Sequence, residues 1–166
     1  MNLDSLWATI LDWQISAAMR GELPGTEWLF PIVETVHVMA LTLVFGSIAM
    51  LDLRLLGVAS QQRPVTRLTA ELLPWTWTAW ITAAIMGTLM FIAKADTYAG
   101  NLQFRLKFAC MALAGLNMLV FHLGIFRQVI RWDTGTPPWR ARIAGAVSLC
   151  SWVAVVFFGR WVGFTT

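Results

Sequence analysis

The chain has 166 residues, of which 58% are hydrophobic and only 13% are charged. A soluble domain has about 25% charged residues, so the composition indicates an integral membrane protein and leaves no room for a soluble catalytic domain. The formal net charge is +3, but the basic residues are scattered rather than gathered in a stripe, which argues against nucleic acid as a partner. We expect a single membrane domain, residues 1–166, in contact with the lipid bilayer.

The first 20 residues predict an amphipathic helix. From Leu3 to Met19 the apolar side chains recur at helical spacing, and the modest hydrophobicity favours a position along the membrane interface over a span. Gly21, Pro24 and Gly25 then end this helix.

Four apolar stretches follow, each long enough to cross a bilayer as a helix. We expect the spans at about residues 29–51, 74–95, 104–126 and 143–164. The second span opens at Pro74 with a tryptophan cluster of the kind that marks the headgroup region. Because a lone helix satisfies its own backbone hydrogen bonds in lipid, the predicted fold class is all-α: a bundle of four transmembrane helices preceded by an interfacial helix.

Basic residues differ between the two sides of this predicted bundle. The connections after the first and third spans contain Arg54, Arg63, Arg67, Arg127, Arg131, Arg140 and Arg142, and the opposite side contains Arg20, Lys94, Arg105, Lys107 and Arg160. Since positive loops stay in the cytoplasm, both termini are predicted to lie outside it.

The two histidines, His37 and His122, both fall inside predicted spans. An ionisable side chain is rare within a span unless it has a function. Each neutral ring needs a partner for both nitrogens, and a metal or haem iron is a partner that also supplies chemistry. We therefore predict that His37 and His122 are metal or haem ligands, with a plain interhelical hydrogen bond as the alternative for His122.

Glu34 lies about one helical turn before His37 and can fix the tautomer of a ligating imidazole. Arg160 is expected at a similar depth in the fourth span. It is either the ion-pair partner of Glu34 or, with Arg105 and Lys107, a partner for haem propionates.

Gly115 lies two turns before His122 on the same predicted helix face. A glycine at this spacing leaves room for a bulky group such as a porphyrin, but small residues equally let two helices pack closely. Both interpretations of Gly115 stay open.

One haem shared by both histidines requires similar depths on facing helices. Counting the helical rise from the span centres, His37 and His122 differ in depth by about 14 Å, which argues against a simple shared haem. Sliding and tilting of the spans in the bilayer can reduce this difference in depth, so one strongly tilted haem shared by both histidines stays possible. The competing arrangement has an outer site at His37 with Glu34 and Arg160, and an inner site at His122 near the level of Ser148, Cys150 and Thr78.

Several segments carry a resemblance to a known family. Residues 31–37 and 46–57 in the first span, and residues 105–108 and 115–122 in the third, are similar to an uncharacterised family of small four-span bacterial inner-membrane proteins. This resemblance implies an inner-membrane location, and the distribution of basic residues then puts both termini in the periplasm. More loosely, the chain resembles four-helix b-type cytochromes and copper-resistance membrane proteins, in which intramembrane histidines bind haem or metal.

The leading hypothesis is therefore a haem-binding electron-transfer protein or subunit with one or two haem b groups. Quinone or a redox protein would be its partner, and it would form a homo-oligomer or join a membrane complex. Copper ranks below haem because no clustered methionine or cysteine motif is present. The alternatives are a non-catalytic scaffold or accessory subunit, and a proton- or ion-conducting oligomer. No nucleophile and base pair or phosphate loop supports an autonomous enzyme.

Overall fold

The computed structural model describes residues 3–165, and in them the chain is helical and contains no strand. Its α-helices are α1 (Leu3–Leu11), α2 (Gln14–Met19), α3 (Leu29–Leu56), α4 (Val65–Ala93), α5 (Ala95–Gly100), α6 (Leu102–Val120) and α7 (Trp139–Thr165). Residues 1, 2 and 166 of the predicted domain lie outside the described part.

Four helical segments are long and apolar enough to cross a membrane: Leu29–Leu56, Val65–Ala93, Leu102–Arg131 and Trp139–Thr165. Only a minority of the residues in each segment is buried inside the protein, so most of their apolar surface faces outward, as lipid contact requires. The predicted all-α membrane fold is confirmed, and the protein is a multi-pass membrane protein.

The amino-terminal region forms two short helices rather than the single helix expected from Leu3 to Met19. Trp13 has an extended backbone between them, with φ −66° and ψ 141°. The break lets α2 pack on α4, where the buried Ser16 hydroxyl donates to the Ile92 carbonyl at 2.9 Å. The location of these helices along the membrane interface stays a prediction.

The second long helix begins well before Pro74, the residue at which the span was expected to open. Pro74 lies inside α4, which a transmembrane helix tolerates because neighbouring groups satisfy the freed backbone. The preceding helix, α3, ends at Gly57, whose φ of 76° is a left-handed conformation that glycine adopts readily.

Beyond α6 the third span changes its helical winding. Phe121–Ile125 forms a π-helical turn, and Phe126–Arg131 continues as a 3₁₀ helix. A π-helical turn interrupts the regular backbone ladder and is frequent at functional sites. His122 lies within this turn.

The bundle is not evenly closed. Helix α3 packs extensively on α4 and α7, and α7 packs on α6, whereas α4 and α6 make little contact. A gap therefore lies between α4 and α6, and the rings of Phe91 and Phe104 stack across it with their centres 5.5 Å apart.

Candidate functional site

A cavity of about 530 Å³ lies among the four long helices beside this gap. It is lined by Ile48, Leu51, Asp52, Leu55, Val65, Thr69, Leu73, Thr76, Trp77, Trp80, Phe108, Met111, Ala112, Ala114, Gly115, Asn117, Met118, Phe121, His122, Ala144, Ser148 and Trp152. The volume is in the range of small-molecule sites, which are mostly apolar with a few polar groups that orient the ligand.

Asp52, near the end of α3, is the charged residue of this lining. Its side chain is only 4% exposed, and its Oδ2 atom has no hydrogen-bond partner in the described residues. The hydroxyl of Ser148 on α7 is a hydrogen-bonding neighbour of the carboxyl group. A buried carboxyl oxygen without a partner is costly, so a ligand that donates a hydrogen bond would stabilise this site.

His122 reaches the same cavity from α6 and its π-helical turn. The Nδ1 atom lies 2.9 Å from the Met118 carbonyl oxygen. Because a carbonyl oxygen can only accept a hydrogen bond, a neutral His122 ring carries its proton on Nδ1. The Nε2 atom then carries a lone pair, and no described residue donates to it. His122 thus brings a second hydrogen-bond acceptor to the cavity.

Two further polar side chains in the lining, Asn117 and Thr76, already donate hydrogen bonds to neighbouring protein groups. The Asn117 amide donates to the Ala144 carbonyl at 2.9 Å, leaving its own carbonyl oxygen as an acceptor. The Thr76 hydroxyl lies 2.7 Å from the Ser47 hydroxyl and 2.9 Å from the Leu72 carbonyl. Asp52, His122 and Asn117 therefore offer acceptors to the cavity, and the indole N–H groups of Trp77, Trp80 and Trp152 are donors in the same lining, so the cavity suits an apolar ring that carries polar groups.

His37 does not line this cavity. Its Nδ1 atom lies 2.8 Å from the Ala83 carbonyl oxygen on α4, so a neutral ring donates there. The ring rests on Gly87, where an added Cβ would lie 2.9 Å from Cε1 of His37. The Nε2 atom has no hydrogen-bond partner in the described residues. A neutral ring that donates from Nδ1 to a backbone carbonyl and leaves Nε2 unprotonated is the tautomer found in many metal-binding histidines.

Lys107 and Glu34 are close enough to His37 to act on it electrostatically. The side chain of Lys107 is half-buried on α6 and rests against Gly159 of α7, with its ammonium 3.7 Å from the position of an added Cβ. No described residue forms a hydrogen bond or ion pair with that ammonium. Glu34 is exposed, and together with burial its charge raises the pKa of Tyr98.

The expected ion pair between Glu34 and Arg160 is absent from the described residues. Arg160 is exposed and its guanidinium lies 5.1 Å from the ring centre of Phe164, on its own helix. Arg105 is also exposed and donates to the Ala99 carbonyl at 3.2 Å. An exposed arginine at the end of a span can keep its guanidinium in contact with water, and this is more favourable in free energy than pairing with a distant carboxylate.

The residues predicted to bind a cofactor therefore lie in two separate places. Gly115 and His122 line the cavity, and Gly115 has open space where a Cβ would be. His37, with Lys107 and Glu34 nearby, lies outside the lining. Of the groups expected at the inner level, Ser148 lines the cavity, whereas Cys150 and Thr78 do not.

This cavity suits haem poorly. None of the basic residues predicted to hold the propionates (Arg105, Lys107 and Arg160) is in the lining, and its charged group is the acidic Asp52. Residues 3–165 also contain no group of three or more histidine, cysteine, aspartate or glutamate side chains placed to hold a metal ion.

Asp52 was missed as a site residue because its position after a long apolar run reads as the start of a loop. The structure continues α3 to Leu56 and keeps Asp52 buried within the bundle. One signal was available in the sequence: Asp52 belongs to the segment 46–57 that resembles the uncharacterised family.

A family model described as "Family of unknown function (DUF6644)" matches residues 28–165, and the resemblance to an uncharacterised family is confirmed. No curated protein and no solved structure is similar enough to this chain to count as a match.

Proposed function

The chain belongs to the DUF6644 family, whose function is unknown, and we propose that it is a membrane electron-transfer protein or subunit that binds a quinol in the cavity. The observation that carries this proposal is the buried Oδ2 of Asp52, which has no partner beside an apolar, aromatic-walled cavity. A quinol combines an apolar ring with two hydroxyl donors. Its ring suits the walls, and its hydroxyls suit Asp52 and His122.

The gap between α4 and α6 supports access from the bilayer, where quinols dissolve. Trp77 and Trp80 lie on the α4 side, in edge-to-face contact at 5.8 Å, and Phe108 lies on the α6 side. All three are partly exposed in the described structure. Aromatic rings at such a boundary stack on a flat ligand without fixing its exact orientation.

Oxidation of the quinol breaks its two O–H bonds and releases two protons and two electrons. In this proposal Asp52 and the Nε2 atom of His122 accept the hydroxyl hydrogen bonds and then the protons. The two electrons would leave one at a time, each to a one-electron acceptor such as a haem or a partner redox protein. We place the protein in the bacterial inner membrane, with both termini in the periplasm as the distribution of basic loops favours. We propose that it acts as a homo-oligomer or as a subunit of a complex.

The test is anaerobic titration of the purified protein with decylubiquinol, followed by tryptophan fluorescence. We expect saturable quenching, because Trp77, Trp80 and Trp152 line the cavity. The Gly115→Leu variant should lose the saturable component, since its side chain fills the open space there. Decylubiquinone should bind more weakly than the quinol, because it cannot donate a hydrogen bond to Asp52 or His122.

Non-saturable quenching of equal size in both proteins would show only partition into detergent and would overturn the proposal. Tighter binding of the quinone than of the quinol would contradict the assignment of Asp52 and His122 as acceptors.

Haem binding at His37 is a second candidate function, favoured by the donation of Nδ1 to Ala83. That hydrogen bond leaves Nε2 free to ligate iron, and the unpaired ammonium of Lys107 would compensate a propionate. When bound, the haem would supply one-electron chemistry. The role of the chain's own residues is to hold the His37 ring on Gly87 and to keep the ligating nitrogen unprotonated.

An absorption spectrum of the purified protein tests this second candidate. We expect a Soret band that is lost in His37→Ala and kept in His122→Ala. A colourless, stably folded preparation would overturn haem binding. Loss of the band in His122→Ala alone would overturn its assignment to His37.

A further inference from the structure

A second cavity, of about 560 Å³, opens as a groove between the end of the third span and the start of α7. Its lining consists of Val120, Gly124, Ile125, Gln128, Trp132, Pro138, Trp139, Arg140 and Ile143. None of these residues lines the quinol cavity. The groove is therefore a separate feature of the molecule.

The groove changes from apolar to polar along its length. Val120 and Ile143 lie further into their spans and are exposed, and Gly124 between them has no atom within 4 Å of an added Cβ. Gln128 and Arg140 lie nearer the end of the bundle. An apolar wall that ends in polar groups matches a lipid, whose chains and headgroup occupy these two levels.

Positive charge at the polar end of the groove is not neutralised by the described residues. The Arg140 guanidinium lies 5.5 Å from the Trp139 ring centre, and no carboxylate pairs with it. Arg127 and Arg131 on the 3₁₀ segment do not line the groove, but they too have no ion-pair partner in residues 3–165. The nearby Asp133 uses its carboxylate on Thr66, at 2.7 and 2.8 Å.

We propose that this groove binds one anionic phospholipid. The phosphate-bearing headgroup lies at Arg140 beside the exposed Trp139 ring, and an acyl chain follows Val120, Gly124 and Ile143. Basic pockets at the end of transmembrane helices bind anionic headgroups, and tryptophan rings prefer the headgroup level. The site is independent of the quinol cavity and of any haem.

The experiment is native mass spectrometry of the purified full chain with phosphatidylglycerol and, separately, with phosphatidylcholine of the same acyl chains. We expect one phosphatidylglycerol to bind more tightly than phosphatidylcholine. The Arg140→Gln variant should bind phosphatidylglycerol about fivefold more weakly, since one basic residue near an anionic lipid contributes about 1 kcal/mol. Arg67→Gln is the matched control, because Arg67 is exposed and already pairs with Glu71 at 2.9 Å.

A second variant tests the apolar part of the groove. Gly124→Leu should weaken phosphatidylglycerol binding by filling the space for the acyl chain, while the headgroup contacts stay in place. Equal affinity for the two lipids, or equal effects of Arg140→Gln and Arg67→Gln, would overturn the proposal. Competition by free glycerol phosphate at the same concentration as the lipid would also overturn it, because the site would then be a phosphate site without lipid specificity.

Discussion

The imidazole of His37 occupies the space that a side chain at position 87 would need. Its Nδ1 atom lies 2.8 Å from the Ala83 carbonyl, and an added Cβ at Gly87 would lie 2.9 Å from Cε1. The glycine and the carbonyl come from successive turns of α4 and hold one ring between them. The orientation of His37 therefore depends on a residue that carries no side chain.

Substitution of Gly87 tests this dependence. Gly87→Ala should lower the free energy of unfolding by about 1–3 kcal/mol, because the ring of His37 must shift in a packed interface. The same substitution at Gly115, where an added Cβ meets no atom within 4 Å, is the control and should be tolerated. A double-mutant cycle with His37→Ala, measured by thermal unfolding in detergent, should show that the Gly87→Ala penalty largely disappears. Additive effects would contradict the contact.

Arg54 fixes the loops at one end of the bundle. Its side chain is 0% exposed, and it donates to the carbonyls of Arg63 at 2.9 Å and of Asp133 at 3.0 Å. Arg54→Lys should destabilise the protein by about 1.5–3 kcal/mol, because an ammonium does not reproduce a planar fork of donors. The measurement is the thermal midpoint, with Arg67→Lys as the exposed control. Equal midpoints for the two variants would contradict this role.

Asp133 makes the stability of the protein depend on pH in the acidic range. Burial favours its neutral form, but hydrogen bonds from the Thr66 hydroxyl and backbone and the charge of Arg54 outweigh burial, so the pKa of Asp133 is lowered from 3.8. A carboxyl group whose pKa is lowered on folding stabilises the protein at pH values above its pKa in the unfolded chain. That stabilisation is lost as the pH falls through its pKa in the folded protein.

Asp133→Ala should therefore cost about 1 kcal/mol at neutral pH, since the carboxylate caps the first turn of α4. The difference in stability from wild type should shrink as the pH falls below 3.8, the ordinary pKa of an aspartate, because the carboxylate is then protonated. Thermal midpoints between neutral and acidic pH check this, with Asp96→Ala as the control. A difference that stays constant over the whole pH range would show that the charge of Asp133 is not involved.

The four spans were predictable because apolar length alone specifies a transmembrane helix, and the structure confirms that fold. The break at Trp13 and the early start of α4 were not predictable in the same way. Asp12, next to Trp13, is a residue type common in turns, but it also fits the polar face of an amphipathic helix. The beginning of α4 depends on Asp133, a residue far away in the chain whose side chain and backbone accept from Thr66 and Val65.

The candidate site was predicted in part. His37 and His122 stand out as ionisable residues within spans, and both have one ring nitrogen fixed by a backbone carbonyl. Their separation into two environments depends on how the helices pack. The cavity itself arises because α4 and α6 make little contact, and that property belongs to four helices together rather than to the sequence of any one of them.

Photolabelling with an azidoquinol, applied anaerobically to the protein in nanodiscs, tests the quinol cavity most directly. We expect labelled peptides from the cavity side of α4 or α6, and suppression of the label by excess unlabelled quinol. Asp52→Asn should weaken that competition by about tenfold or more, because a carboxyl oxygen that accepts from the ligand is replaced by an amide group, whereas the exposed Asp96→Asn should not. Label spread over the outer faces of the helices without competition, or equal behaviour of the two variants, would contradict the proposed site.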